Sequence, residues 1–276
     1  MMDGLADDQA ARERAHFPAQ AADLLRARSL AQDYRHLAVS LRPGQRVLDV
    51  GCGTCALTAG MAELARPGEV GGRRRRHEPP IRRGGPPNAR GVPNLSFRCA
   101  DVYALGHEAS CDVVVAARVL QWLDRPQEAV RQMVAALNPG GRLFVLDDNH
   151  LKARLSPPPP PAMRQFRERS LAWRADAGMD NEMADHLPEL LRRAGLIDVE
   201  VVEQHEVTRR GDPDFERRIR LWGVVAATRG RQVVAAGFIS EEERRAAVEA
   251  FEAWVAGETT EQAFYLLSVV GTKLRA

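Results

Sequence analysis

The stretch Val47–Cys55 reads VLDVGCGTC. Its first half is apolar with a single acid, Asp49, the composition of a strand buried on both faces. Its second half sets Gly51 and Gly53 around a turn, where missing side chains allow a sharp bend and let a ligand touch the backbone. Thr54–Leu64 then reads as a helix with its N-terminus aimed at that ligand. Strand, glycine turn and helix together mark the carboxyl end of a first strand, where open α/β sheets bind their ligands.

Three readings of the motif compete. Gly51-x-Gly53-x-x-Ala56 fits a dinucleotide fingerprint, which would suit an NAD-dependent dehydrogenase. Cys52-x-x-Cys55 fits a redox or zinc half-site. A zinc site needs two further ligands, and Cys99 and Cys111 fall on expected strands without that spacing, so no metal ligands are assigned. An acid ahead of the glycines, as Asp49 is, fits a pocket for S-adenosylmethionine (SAM).

Outward from the motif the chain alternates. Asn94–Cys99, Cys111–Ala116, Arg142–Asp147, Val199–Val207 and Ala263–Val270 read as strands. Pro126–Leu137, Met163–Ala175, Glu182–Ala194, Phe215–Arg229 and Glu241–Ala256 read as helices, and Leu24, Leu25, Leu30, Tyr34 and Leu37 give the N-terminal region an apolar helical face. Asn138–Gly141 is read as the break that ends the helix Pro126–Leu137, and the proline run Ser156–Pro161 as a stiff connector. Strands alternating with helices imply βαβ units and a mostly parallel sheet. The expected organisation is an N-terminal helical cap over 1–42 and one α/β domain over 43–276. Its core motifs lie at 46–147, a lid or connector at 151–180, and a helical insertion at 208–260 before the last strand.

Bulk properties narrow the class. At 276 residues the chain can bury a full α/β core. No apolar run is long enough to span a bilayer, and a cytoplasmic protein without a membrane partner is expected. The formal charge of +2 rests on Gly71–Pro87, which holds six arginines against Glu78; without that segment the chain is mildly acidic. Charge is therefore no argument for a nucleic-acid partner, and none is expected.

The motifs, taken in order, resemble a class I SAM-dependent methyltransferase of the small-molecule type, the group that includes ubiquinone- and menaquinone-biosynthesis methyltransferases. VLDVGCGTC is similar to that family's first motif. FRCADVYAL (Phe97–Leu105) resembles its adenine loop, CDVVVAARVLQWLDRPQEAV (Cys111–Val130) its fourth strand and following helix, and LNPGGRLFVLD (Leu137–Asp147) its next turn and strand. HLPELLRRAGLIDVEV (His186–Val201) resembles its late helix and strand. The resemblance implies a Rossmann-like seven-stranded, mostly parallel sheet with helices on both faces, the last strand antiparallel and inserted. It implies SAM as cofactor, held by Asp49, Gly51, Cys52, Gly53, Asp101, Val102 and Arg118, with Asp101 on the adenine amino group. The partner it implies is a small-molecule methyl acceptor, and 215–256 is available for a homodimer contact.

Methyl transfer from a sulfonium is an in-line displacement, so positioning is the main work and a base is needed only where the acceptor must lose a proton. His150, after the fifth strand, is the candidate catalytic base. Arg118, Gln121, Trp122, Asp148 and Asn149 are further candidates, and Trp173, Met179, Phe215 and Trp222 suggest an apolar acceptor site.

Two departures stand against the resemblance. The third glycine of the first motif is Cys55. The second strand should end in an acid that grips the ribose hydroxyls, and Gly71-Gly72-Arg73-Arg74 stands there instead, which reads as a missing strand. Three readings of the arginines follow: an RNA or phosphate patch, a solvated loop, or a local change of reading frame. In the last, losing one base after the codon for Gly71 can yield Gly-Val-Asp-Val, and a compensating change before Asn88 restores the frame. A disabled SAM-fold protein and an RNA methyltransferase are the corresponding functional alternatives.

Overall fold

The computed structural model describes residues 11, 13–15, 25–74, 92–106 and 109–275. In chain order the elements used below are α1 (Leu30–Asp33), α2 (Arg35–Ser40), β1 (Val47–Val50), α3 (Ala56–Ala65), β2 (Val70–Arg74), β3 (Leu95–Cys99), β4 (Cys111–Ala117), α4 (Pro126–Ala136) and β5 (Leu137–Ser156). There follow α5 (Pro161–Asp176), α6 (Met183–Arg193), β6 (Leu196–Glu203), β7 (Glu206–Arg209), α7 (Phe215–Ile219), α8 (Leu221–Ala227), α9 (Gly230–Ala235), α10 (Glu241–Gly257) and β8 (Glu261–Lys273).

The strands form one sheet in the order β3-β2-β1-β4-β5-β8-β6, with β7 pairing β8 beside that path. β1 to β5 run parallel, and β8 is antiparallel to both β5 and β6. The expected architecture is therefore present, with the short β7 as an eighth strand. Chain order runs outward from β1 to β3, then returns to β4 on the other side of β1. That reversal leaves a crevice at the carboxyl ends of β1 and β4, over Val50–Gly53 and Ala117–Val119.

Both faces of the sheet are covered. On one face Val47, Val113, Val115 and Phe144 pack with Met61, Ala62 and Ala65 of α3 and with Phe166, Trp173, Phe251 and Trp254 of the later helices. On the other, Leu48, Val50, Val114 and Val145 pack with α4 and α6. Among the described residues no helix is long and apolar enough to cross a membrane.

The second strand corrects the sequence reading. Val70–Arg74 pairs in parallel register with both neighbours, Asp49 opposite Gly72 and Gly72 opposite Phe97. Ladder hydrogen bonds are made by backbone, so two glycines between two good strands still pair. The space their side chains would fill is taken by neighbours. A Cβ on Gly72 would lie 2.6 Å from the Phe97 ring, and one on Gly71 would lie 3.2 Å from the Arg73 guanidinium, which folds back along its own strand. The rest of the arginine segment, from Arg75, lies outside the described residues.

Other expectations shift in extent. The helix ahead of Asn138–Gly141 ends at Ala136 as expected, while β5 begins at Leu137, earlier than Arg142, with a register shift where it joins β4. The strand expected at Val199–Val207 is divided into β6 and β7, and the helix expected at Phe215–Arg229 into α7 and α8.

Candidate functional site

A cavity of about 270 Å³ opens over the crevice. Its floor is the first motif, with Asp49, Gly51, Cys52 and Gly53. One side is Arg118, Val119, Gln121 and Trp122 after β4, and Asp148 and His150 of β5. The far wall is Phe166, Ser170, Trp173 and Arg174 of α5 with Trp222 and Val225 of α8.

Each part of the floor has a local cause. Gly51 sits at φ +77°, and a Cβ there would lie 2.6 Å from Val119, so only glycine lets the turn pass under the loop after β4. Gly51 and Cys52 donate their backbone N–H groups to the Arg73 carbonyl, which ties the turn to the end of β2. Asp49 is buried and accepts a 2.6 Å hydrogen bond from the Thr58 hydroxyl of α3. Burial pushes its carboxyl up to about 6, against the opposing pull of that bond. Cys55 adopts the left-handed conformation at φ +62°, the geometry the absent third glycine would take without strain. Its thiol lies 3.3 Å from that of Cys52, and both cysteines are free. The Cys55 contact and, after it, burial raise the Cys52 thiol well above its ordinary value, the reverse of an activated thiol. Among the described residues no cluster of three His, Cys, Asp or Glu could hold a metal ion.

The side of the cavity is a buried polar network centred on Gln121. Its amide nitrogen donates to Asp147 at 2.7 Å and to Asp148 at 2.8 Å. Its carbonyl oxygen meets Nε2 of His150 at 2.5 Å and accepts from Arg174 at 3.2 Å. Because that oxygen can only accept, the proton of neutral His150 sits on Nε2 and Nδ1 keeps its lone pair. Burial and the charges of Arg174, Arg118, Arg167 and Arg229 hold His150 well below the usual imidazole range, so it is neutral at physiological pH. Asp147 is pushed up to about 7 by burial and by the Asp148 charge.

Arg118 lies at φ +59° at the end of β4, an uncommon backbone state for a side-chain-bearing residue. Its guanidinium is bidentate to Asp148 at 2.9 and 3.0 Å and meets Glu206 of β7 at 2.6 Å. Those carboxylates outweigh the burial cost and hold it fully charged. Arg28, near Arg118, is lowered to about 10 by burial and remains a cation. Arg174 is also lowered to about 10 by burial. It is stacked 4.0 Å from the Trp122 ring centroid, and the Arg229 guanidinium lies 3.9 Å from the same centroid.

The residues singled out from sequence fall into two groups. Asp49, Gly51, Cys52, Gly53, Arg118 and His150 line one cavity, joined by Gln121, Trp122, Asp148, Trp173 and Trp222. Asp101 and Val102 stand beyond β3, where the Asp101 carboxylate accepts from the Tyr103 N–H at 3.0 Å. They are not among the lining residues. Asn149 is tied to Asp185, Leu151 and Lys152. Met179 and Phe215 belong to the cores. Ser170, Arg174, Arg229 and Arg28 were missed. Arg167, Ser170 and Arg174 follow i, i+3, i+7 spacing beside Phe166 and Trp173, which is the signal of a polar stripe on a helix's buried side.

The floor fits a nucleoside cofactor at the turn, where Gly51 and Gly53 line the cavity with backbone alone. At the end of β2 the fit differs, since Arg73 and Arg74 stand where the resembled family has an acid.

Residues 48–145 match the family model described as a methyltransferase domain. A search of curated proteins by sequence finds no match. Among solved structures the chain is similar to the YcgJ protein of Bacillus subtilis, with 15% identity, a TM-score of 0.54, and coverage of 88% of this chain and 98% of that one. It is similar at 20% identity and a TM-score of 0.51 to the [4+2]-cyclase SpnF, over 89% of this chain and 82% of that one. It also resembles the phosphoethanolamine N-methyltransferase 2 of Haemonchus contortus, solved with S-adenosylhomocysteine, at 16% identity and a TM-score of 0.50, over 89% of this chain and 53% of that longer one. At these identities the likenesses establish the fold.

Proposed function

We propose that this chain, whose residues 48–145 match a methyltransferase domain, is a class I SAM-dependent methyltransferase that methylates a small apolar or aromatic molecule bound against α5 and α8. The observation that carries this reading is the continuity of one cavity from the glycine turn to a wall of Phe166, Trp173 and Trp222. A pocket with apolar walls and a few converging polar groups is the form of a small-molecule site.

Bound SAM would supply an electrophilic methyl group. Asp49, Gly51, Cys52 and Gly53 are the residues that would hold it, with Asp101 and Val102 at its adenine end. The remaining groups position the acceptor and exclude water. His150 is neutral, oriented through Nε2 by Gln121, and presents Nδ1 as the base for an acceptor that must lose a proton.

Two measurements test the reading. Calorimetric titration of the full chain with SAM should show one site, and absence of binding would sink the cofactor assignment. In a methyl-transfer screen with an accepted substrate, His150→Gln should lower kcat by about a hundredfold with little change in KM. Because His150 stays neutral, wild-type kcat should hold steady as pH falls through the usual imidazole range. Undiminished kcat in the variant would remove the base role.

A second reading has its own observation. β2 ends in arginines, so a protein of this fold that binds SAM too weakly to turn over is the alternative, and the same titration separates the two.

A further inference from the structure

The wall of α5 and α8 is rich in unanswered donors. Ser170 and Arg174 are one helical turn apart on α5, and Trp222 faces them from α8 across the same cavity. All three are more than nine-tenths buried. Among the described residues, the Ser170 hydroxyl, Nη1 of Arg174 and Nε1 of Trp222 have no hydrogen-bond partner. Nε of Arg167, one turn before Ser170, also lacks a partner among the described residues, although Arg167 stands behind the cavity lining. A buried donor without an acceptor costs free energy, and native proteins tolerate few. Several on one cavity wall need an acceptor that arrives with the ligand.

The charge at this wall has the same sign. Arg174 is held by neutral partners, with Nε on the Asn181 side-chain oxygen and Nη2 on the Gln121 oxygens. The nearest carboxylates, Asp147 and Asp148, are engaged by Gln121, and Asp148 also by Arg118. Trp122 lies against the Arg174 and Arg229 guanidiniums and holds the Arg174 plane in place. The result is a fixed, desolvated cation beside a hydroxyl and an indole N–H, with Phe166, Trp173 and Val225 around them.

We propose that this wall binds the carboxylate of an apolar or aromatic carboxylic acid, so that the methyl acceptor is an organic acid anchored by Arg174, Ser170 and Trp222. This rests on the methyltransferase reading and narrows its substrate class. A guanidinium presents N–H groups in the fork that matches a carboxylate, and a desolvated charge-assisted bond is the strong kind. A carboxylate held there is a weakened nucleophile. The pairing therefore orients the acceptor and leaves another of its atoms to take the methyl group.

The test uses 1-naphthoate and its neutral analogue 1-naphthamide, titrated calorimetrically into the full chain with and without saturating S-adenosylhomocysteine. Naphthoate should bind tighter by roughly tenfold to a hundredfold. Arg174→Gln should erase that preference while amide binding persists, and Ser170→Ala should reduce it. Equal affinity for acid and amide, binding of neither, or a preference that survives Arg174→Gln would overturn the proposal. If Arg174→Gln does not fold, the wild-type comparison with Ser170→Ala decides alone. The S-adenosylhomocysteine titration reads the cofactor site separately, so a chain that selects the acid without binding that nucleoside refutes the methyltransferase reading and keeps the anion site.

Discussion

Asp49 shows how one buried residue couples the site to pH. Its carboxyl is raised to about 6, so the native state holds a proton that the unfolded chain has already released. The stability this contributes is present below the unfolded value near 4 and is lost as pH rises through about 6. Asp49→Asn removes that dependence. The stability difference between variant and wild type, followed by urea unfolding, should change by about 3 kcal/mol in the variant's favour between pH 4 and 7. A flat difference would show that Asp49 titrates normally. Cys55 makes a second residue-scale case. Its left-handed backbone disfavours branching, so Cys55→Val should cost at least about 2 kcal/mol while Cys55→Gly stays within about 1 kcal/mol. These two residues were legible in the sequence because their roles follow from a contiguous strand-turn pattern. His150 was legible only as a position after a strand. Its tautomer depends on Gln121, and that orientation on Asp147, Asp148 and Arg174, which no local pattern brings together.

At the scale of elements, β2 is the informative case. The sequence suggested a missing strand because arginine and glycine make poor strand interiors, yet the partners on both sides impose the pairing. Local propensity was overridden by two neighbours and by the Phe97 ring. What pairing cannot supply is chemistry at the strand's end. The Arg74 charge lies close enough to the Cys52 thiol to act on it, which puts it beside the cavity floor. A carboxylate there would meet the nucleoside, so Arg74→Glu should tighten SAM binding by roughly tenfold in a calorimetric titration. Unchanged or weaker affinity would show that this position does not serve the ribose. Resequencing the codons from Glu69 to Gly91 tests whether the arginines are encoded as translated. The link from β4 to β7 is equally specific. Among the described residues, Arg118→Ala leaves Asp148 with only its Gln121 hydrogen bond and Glu206 with only the longer Arg218 contact at 3.8 Å, and should cost about 3–5 kcal/mol in urea unfolding. A loss below 1 kcal/mol would mean that water replaces the guanidinium.

Across the whole molecule, the N-terminal helices are structural members of the domain. Leu30, Tyr34, Leu37 and Leu41 are buried in the same core as β1, β4 and α5. The Tyr34 hydroxyl and Nδ1 of His36 both meet the Ser268 hydroxyl on β8, and the His36 ring sits edge-on to Phe144. The sequence drew a boundary after residue 42 because Pro43-Gly44 is a turn signal. A turn marks a change of direction, and whether the segment before it is separable depends on long-range burial that turn residues do not encode. Removing residues 1–42 should abolish cooperative thermal unfolding. A truncated chain that still melts sharply would show that 43–276 folds alone.

The place of β8 in the sheet has a consequence for biosynthesis. β8 is the central partner of β5, β6 and β7, yet it leaves the ribosome after all three. Until it emerges, β5 has one unpaired edge, β6 and β7 have no partner in the sheet, and the inner face of the N-terminal helices lacks Ser268. Nascent chains of this protein therefore display open strand edges from the completion of β5 to the arrival of β8, the condition under which chaperones bind and truncated products aggregate.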